Sequence, residues 1–196
     1  MDLRMFDFSE YYDKIAHWLP DNCRIIEVGV ANGASASYLA KKLQTMGKPF
    51  KMFWVDGMQY GGYEQYGTIR DAISEYLLDG DVSVMPMNSL DASCKFNDKS
   101  LDFVFLDSSH EYEQTKAEIR LWQHKLKDGG ILAGHDYNQG EGIGVFDAVN
   151  EIVPREITRE PIEGQTFEPE QFLYTYETGS GFGVWEFTKR FYYTIK

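Results

Sequence analysis

The stretch RIIEVGVANGASAS, Arg24 to Ser37, changes character half-way along. Arg24 to Val30 is a short apolar run rich in β-branched residues, the pattern of a buried strand. ANGASAS carries only small residues, and SYLAKKLQTM then takes up helical spacing until Gly47 closes it. Strand, tight turn, helix is the expectation. Gly29 and Gly33 would let the backbone turn sharply and a ligand come close, with the free N–H groups of the helix start facing it.

Working outward, the same unit recurs. KMFWVDG (Lys51 to Gly57) reads as a second strand, TIRDAISEYLLDG as a helix with Ile69, Ile73, Tyr76 and Leu77 on one face, and DVSVMPM as a third strand. LDFVFLD is a fourth, followed by a helix whose stripe of Tyr112, Thr115, Ile119, Trp122 and Leu126 runs until DGG ends it. ILAGHDY is the fifth, and a further helix turns Val145, Phe146, Val149 and Ile152 inward before Pro154. Upstream, Ser9 is an N-cap candidate for a leading amphipathic helix in which Tyr11, Tyr12, Ile15, Trp18 and Leu19 recur at helical spacing before Pro20. Strands alternating with helices imply parallel pairing, and their two-sided apolar character implies a sheet covered on both faces. After Pro154, REITRE is a candidate strand, EGQTFEPEQ a loop, and FLYTYETGSGFGVWEFT a hairpin turning at ETGSG, with an antiparallel strand at Gly183 to Thr188. Phe172 to Tyr176 reads equally as strand or surface excursion.

At 196 residues the chain suits one core and one domain. No apolar run approaches the roughly 18 residues that cross a bilayer. MDLRMFDFSEYYDK lacks the basic start and apolar stretch of a signal peptide, and Cys23 and Cys94 form neither a metal spacing nor a disulfide framework, so a cytoplasmic location is the expectation. The formal charge of -12 would repel a phosphate backbone, which speaks against nucleic acid as partner and for a small molecule. No membrane partner is expected, and a homodimer stays open.

In an open parallel sheet, ligands bind at the carboxyl ends of the strands. Those ends carry Glu27 and Gly29, Asp56, Met87 to Ser89, Asp107, and His135 with Asp136. Asp56 follows Gly33 by 23 residues, where a carboxylate can accept from both hydroxyls of a ribose. Ala31 stands where a dinucleotide fingerprint needs its second glycine, so a nucleoside is favoured over a pyrophosphate.

In order and spacing, E-V-G-V-A-N-G-A-S, V-D-G, L-D-x-V-F-L-D-x-S-H-x-Y and L-K-D-G-G-I-L-A-G-H-D-Y resemble the class I S-adenosylmethionine-dependent methyltransferases, nearest the branch of macrocin-type sugar O-methyltransferases and cephalosporin-hydroxylase-like proteins. The likeness covers about Cys23 to Val153. It implies an α/β, Rossmann-like doubly wound fold: a mostly parallel seven-stranded sheet, helices on both faces and an antiparallel C-terminal strand. A leading helix (1–22), a cofactor-binding core (23–153) and C-terminal strands (154–196) would form one domain. It also implies S-adenosylmethionine as cofactor. Glu27, Gly29, Val30, Gly33 and Ser35 would frame its methionine end, Asp56 and Gly57 its ribose, and Met58, Ser89 and Leu90 its adenine, with Asp107 and His110 closing the bed.

Asp107 and Asp136 should end neighbouring strands, about 5 Å apart. Two carboxylates that close repel unless they share a proton or a cation. Asp107, His135 and Asp136 are therefore candidate ligands for Mg²⁺ or another divalent ion, a histidine in the set shifting the choice towards Mn²⁺, Fe²⁺ or Zn²⁺. Asp107, His110 and His135 are the candidate catalytic residues, either imidazole being a ligand, a base or a structural group. A plainer reading takes Ser108 to Glu111 as a capping box, S-x-x-E, that merely starts a helix; it leaves His110 and Asp136 unexplained. GMQYGGYEQY (Gly57 to Tyr66) and the loop from Asn138 to Gly144 would form the acceptor pocket, or else ordinary surface. The expected chemistry is O-methylation of a sugar or natural-product hydroxyl. The rivals are an NAD-dependent oxidoreductase, a non-catalytic S-adenosylmethionine-binding accessory protein and, lower, a hydroxylase.

Overall fold

The computed structural model describes residues 6–59, 62–75, 81–138, 144–152, 173–176 and 183–188. The chain runs α1 (Ser9–Trp18), β1 (Cys23–Val28), α2 (Ala34–Thr45), β2 (Phe50–Asp56), α3 (Gly62–Glu75), β3 (Val82–Pro86), α4 (Ser89–Ser93), β4 (Leu101–Leu106), α5 (Tyr112–Lys125), β5 (Leu126–Tyr137), α6 (Val145–Ile152), β6 (Leu173–Tyr176) and β7 (Gly183–Thr188).

The strands form a seven-stranded sheet in the order β3-β2-β1-β4-β5-β7-β6. β1 to β5 pair in parallel, and β7 runs antiparallel to both β5 and β6. Strand order reverses between β1 and β4, where Glu27 stands beside Phe105. Alternate residues feed two cores, as a doubly wound sheet requires. Phe103 and Phe105 face Trp54, Leu39, Leu43 and Ile15, under α1, α2 and α3; Val104 and Leu106 face Ile26, Trp122 and Val149, under α5 and α6.

Helix α1 is held by aromatic packing at one end and by a lysine at the other. Phe8 and Tyr12 lie with ring centroids 4.9 and 5.1 Å from Phe105, and Lys48 Nζ donates to the carbonyls of Ala16, His17 and Leu19. Those carbonyls have no partner within the helix, so the lysine both caps α1 and ties its end to the turn before β2. The start of α1 consequently lies over the carboxyl ends of β4 and β5.

Several boundaries differ from the sequence reading. Leu126 opens β5 rather than ending α5, because it pairs with Leu101 of β4; the strand then absorbs Gly129, φ +83°, through a register shift. α3 starts at Gly62, so the second half of the GMQYGGYEQY segment is helix, with Tyr63 97% exposed. The short α4 carries no periodic pattern in the sequence; the Asn88 side chain caps it by accepting from the Asp91 amide at 2.8 Å. Leu173–Tyr176 is a strand. The readings for REITRE, EGQTFEPEQ, ETGSG, Tyr76 and Leu77, and for most of Asn138 to Gly144, lie outside the described residues.

Candidate active site

The site begins with a backbone crossing. Gly29 has φ +85°, and a β-carbon there would lie 2.0 Å from the Asp107 carbonyl oxygen. The ends of β1 and β4 thus touch, locked by Asp107 N donating to Val28 O at 2.8 Å, while Gly29 N donates to Val55 O of β2 at 2.8 Å. Gly33, φ +82°, turns over the Trp54 ring into α2.

Asp56 gathers the two loops around this crossing. Its Oδ2 accepts from the Ala31 amide at 3.0 Å and its Oδ1 from the Met58 amide at 2.7 Å. Both donors sit at positive φ, +48° and +56°, a strain the carboxylate holds in place. Each oxygen keeps a second lone pair for a ligand hydroxyl. Gln65 Nε2 donates to Ala31 O at 3.0 Å, bracing the loop from α3.

Glu27 is wholly buried beneath the loop. Tyr12 donates its hydroxyl to Oε2 at 2.7 Å, and Ser35 bonds Oε1. Burial, with the charge of Asp107 adding to it, pushes the carboxyl up to about 8, against the pull of those two hydroxyls.

Around the ends of β4 and β5 the ionisable groups converge. His110 Nε2 lies 2.7 Å from Asp136 Oδ2. His135 Nδ1 faces Asp136 Oδ1 at 3.5 Å and Asp107 Oδ1 at 3.7 Å, while its Nε2 meets Asp7 Oδ1 at 3.0 Å. Burial, helped by the Asp136 charge, lifts Asp107 to about 7 in spite of the two imidazoles. Burial works to raise Asp136 as well, yet the contacts with His110 and His135 hold it well below the usual carboxylate range. The hydrogen bond to Asp136 raises His110. His135 is raised by Asp136, Asp107 and Asp7 against a larger opposing effect of burial. Two carboxyls side by side have thus been driven apart, Asp107 upward and Asp136 downward. A cleft of about 230 Å³, including space open to solvent, lies over them.

The metal-capable set among the described residues is Asp107, His110 and Asp136, whose donor atoms all lie within 4.8 Å of one another. This set holds His110 where the sequence reading had His135, whose Nε2 meets Asp7 while its Nδ1 still faces Asp136 and Asp107. The capping box is also corrected. Glu111, not Ser108, is the N-cap of α5, and no side chain caps it. Ser108 Oγ instead donates to both oxygens of the buried Glu118, at 2.7 and 2.9 Å.

A family model described as "Methyltransferase domain" matches residues 26–137. The chain belongs to that family. Its sheet order is that of the class I S-adenosylmethionine-dependent methyltransferases. Solved structures of the same fold include an rRNA methylase from Streptococcus thermophilus (15% identity, 96% of this chain and 99% of that one, TM-score 0.66). A methyltransferase-like protein of Streptococcus mutans, solved with SAH, is 14% identical over 94% and 98% of the two chains, TM-score 0.67. An O-methyltransferase of Thermotoga maritima is 17% identical over 94% and 66%, TM-score 0.60. A search of curated proteins finds no match.

The methyltransferase brings Glu27, Gly29, Gly33 and Asp56 to one loop cluster, and Asp107, His110, His135 and Asp136 to another beside it. Other expected bed residues are engaged elsewhere. Val30 is 2% exposed and packs in the core, Ser35 is bound to Glu27, and Ser89 accepts from the Trp122 indole at 2.9 Å. Gly57 is exposed beside the half-buried Met58, and Leu90 is half-buried. Sequence reasoning missed Asp7, Tyr12 and Glu118. Tyr12 was visible only as one apolar position of a helical stripe, and Glu118 lies between Thr115 and Ile119 of the α5 stripe, an acid at an inward helical position.

Proposed function

We propose that this methyltransferase transfers a methyl group from S-adenosylmethionine to the hydroxyl of a small-molecule acceptor, with the Asp107–His110–Asp136 cluster activating that hydroxyl. The observation that carries the reading is the convergence of these three side chains within 4.8 Å, beside the Gly29–Asp107 crossing.

The residues present suit the nucleoside donor. A carboxylate with free lone pairs, Asp56, stands at the end of β2, and two glycine turns leave the room a close approach needs. When bound, the donor supplies an electrophilic methyl on sulfur. The chain's part is to hold the acceptor oxygen in line with it, to exclude water and to take the proton, positioning alone being worth a large share of the rate.

Two routes exist for the proton. Two carboxylates and an imidazole are a ligand set for Mn²⁺ or another divalent ion, which would lower the pKa of a bound hydroxyl. Without an ion, an imidazole is the base, and the neighbouring carboxylates stabilise the imidazolium it becomes. Some similar structures are described as rRNA methylases; the -12 charge of this chain favours a small acceptor instead. An NAD-dependent oxidoreductase is disfavoured by Ala31 in the glycine loop.

Calorimetric titration with S-adenosylhomocysteine, with and without Mg²⁺ or Mn²⁺, is the first test, followed by methyl transfer to a panel of polyhydroxylated acceptors. Binding is expected in both cases. No binding, or preferential binding of NAD, overturns the reading; binding without transfer to any acceptor supports an accessory role.

A further inference from the structure

Trp185 lines the cleft and has no part in the proton transfer described above. It is 0% exposed, and its indole N–H, a donor and nothing else, meets no acceptor among the described residues. Buried indole nitrogens ordinarily find one: Trp122 donates to Ser89 Oγ at 2.9 Å. Trp54 also lacks an acceptor, but it lies in the core on the opposite face of the sheet and lines no part of the cleft.

The backbone brings the Trp185 nitrogen to the strand ends. Trp185 pairs with Gly134 across β7 and β5, and a β-carbon at Gly134 would lie 2.7 Å from Nε1. Gly134 in turn pairs with Leu106. The nitrogen thus stands at the level of the residue pair that precedes Asp107 on β4 and His135 on β5. The ring is fixed there, packed in one core with Leu106, Val145 and Val149 while its strand is held between β5 and β6.

What can meet that N–H follows from charge. Asp107, Glu118 and Asp136 line the same cleft, no lysine or arginine does so among the described residues, and both imidazoles there already face carboxylates. A carboxylate or phosphate would find no countercharge. A metal ion is no partner for an N–H donor. A neutral hydroxyl satisfies both sides: its oxygen accepts from Nε1, and its proton can go to a carboxyl oxygen or to Thr115 Oγ1, whose own proton is directed at the carbonyls of Ser109 and Glu111.

We propose that Trp185 is an acceptor-binding residue: its Nε1–H takes the oxygen of a second, neutral hydroxyl on the molecule whose first hydroxyl is methylated, and so selects against acceptors with an anionic group at that position. The role in acceptor choice rests on the function proposed above; the hydroxyl site itself does not.

The test follows the indole N–H resonances of the ¹⁵N-labelled full-length protein. Trp185 is assigned by its loss in Trp185→Phe, or by elimination with Trp18→Phe, Trp54→Phe and Trp122→Phe where that variant does not fold. Glycerol is the neutral probe and acetate the anionic one. Glycerol is expected to shift the Trp185 resonance saturably and to leave that of Trp122 in place, with no saturable shift from acetate at equal concentration. A water bound at the site gives the indole proton an Overhauser effect to water, which glycerol should abolish. No Trp185 response to glycerol, an equal response to acetate, or a water signal that persists at saturating glycerol overturns the proposal. In the methylation assay Trp185→Phe should raise the acceptor KM about 2- to 10-fold with less effect on kcat; an unchanged KM overturns the role in acceptor choice. Failure to bind S-adenosylhomocysteine would sink the functional reading, and the glycerol titration, which needs no methyl donor, would still decide the hydroxyl site.

Discussion

Gly29 and Asp107 share one small volume: the space a side chain at residue 29 would need is filled by the Asp107 carbonyl group. The contact is backbone on backbone, so no rotamer change relieves it. Gly29→Ala must either push β4 away from β1 or abandon φ +85°, at about 2–5 kcal/mol for left-handed strain plus overpacking. In a chain of this size that is roughly 5–15 °C in Tm. A thermal melt within 2 °C or so of wild type would mean that the two loops are not locked as described.

Glu27 makes stability depend on pH in an unusual direction. Its carboxyl is raised from the ordinary 4.5 to about 8 by burial. The unfolded chain therefore loses this proton first, and stability falls as pH rises from about 4.5 through 8. At about 1.4 kcal/mol per unit the effect is on the order of 5 kcal/mol. Glu27→Gln keeps the shape and removes this titration, so its denaturant midpoint should fall less than that of wild type across that window and should exceed it at pH 8.5. Parallel pH profiles for the two proteins would place the ionisation elsewhere.

What the sequence made legible and what it hid divide along physical lines. Strand ends were readable, because a buried run that stops at a carboxylate marks both a boundary and a site; Asp56, Asp107 and Asp136 were reached this way. Contacts between segments far apart in sequence were not. Tyr12 and Leu19 share one stripe and one burial, yet only Tyr12 carries a hydroxyl that meets Glu27. The Ser108-to-Glu111 spacing satisfies the capping-box pattern, but the serine turns to Glu118, seven residues and about two helical turns beyond Glu111. Leu126 fitted the helical stripe and also the strand; pairing with Leu101, a tertiary contact, decided it.

That serine gives a further prediction. Glu118 is 1% exposed, and the hydrogen bonds described for its oxygens come from neutral side chains, Ser108, Gln114 and Ser89. Removing one such donor from a buried carboxyl costs about 1–3 kcal/mol. Ser108→Ala should lose that much in chemical denaturation, and Glu111→Ala, which removes only an uncapped N-cap side chain, should lose under about 0.5 kcal/mol. The reverse ranking would restore the capping box.

The His110–Asp136 pair titrates from both sides. Asp136 is lowered from 3.8, so its contribution is present above that value and lost as pH falls through the lower folded value. His110 is raised from 6.5, so its contribution is complete below 6.5 and lost as pH climbs past the raised value. The pair is at full strength between about pH 4 and 6.5. A double-mutant cycle with His110→Ala and Asp136→Asn should show a coupling energy at pH 5.5 that shrinks by pH 9. Equal coupling at both values would reduce the contact to geometry without charge.

The same cluster separates the two routes for the acceptor proton. Asp136→Ala should lower methyl transfer by about 10²–10⁴ on either route, since it removes a candidate ligand and the partner of an imidazole. His110→Ala divides them. If an ion activates the hydroxyl, transfer falls with the loss of a ligand, added Mn²⁺ restores part of it, and EDTA abolishes transfer by the wild type. If an imidazole is the base, EDTA leaves wild-type transfer intact, and the rate rises with pH through a histidine ionisation that disappears when the responsible residue is replaced, His110 or His135. The raised values of both place that ionisation above 6.5. Transfer that survives replacement of Asp107, Asp136 and both histidines would show that these strand ends serve only the fold.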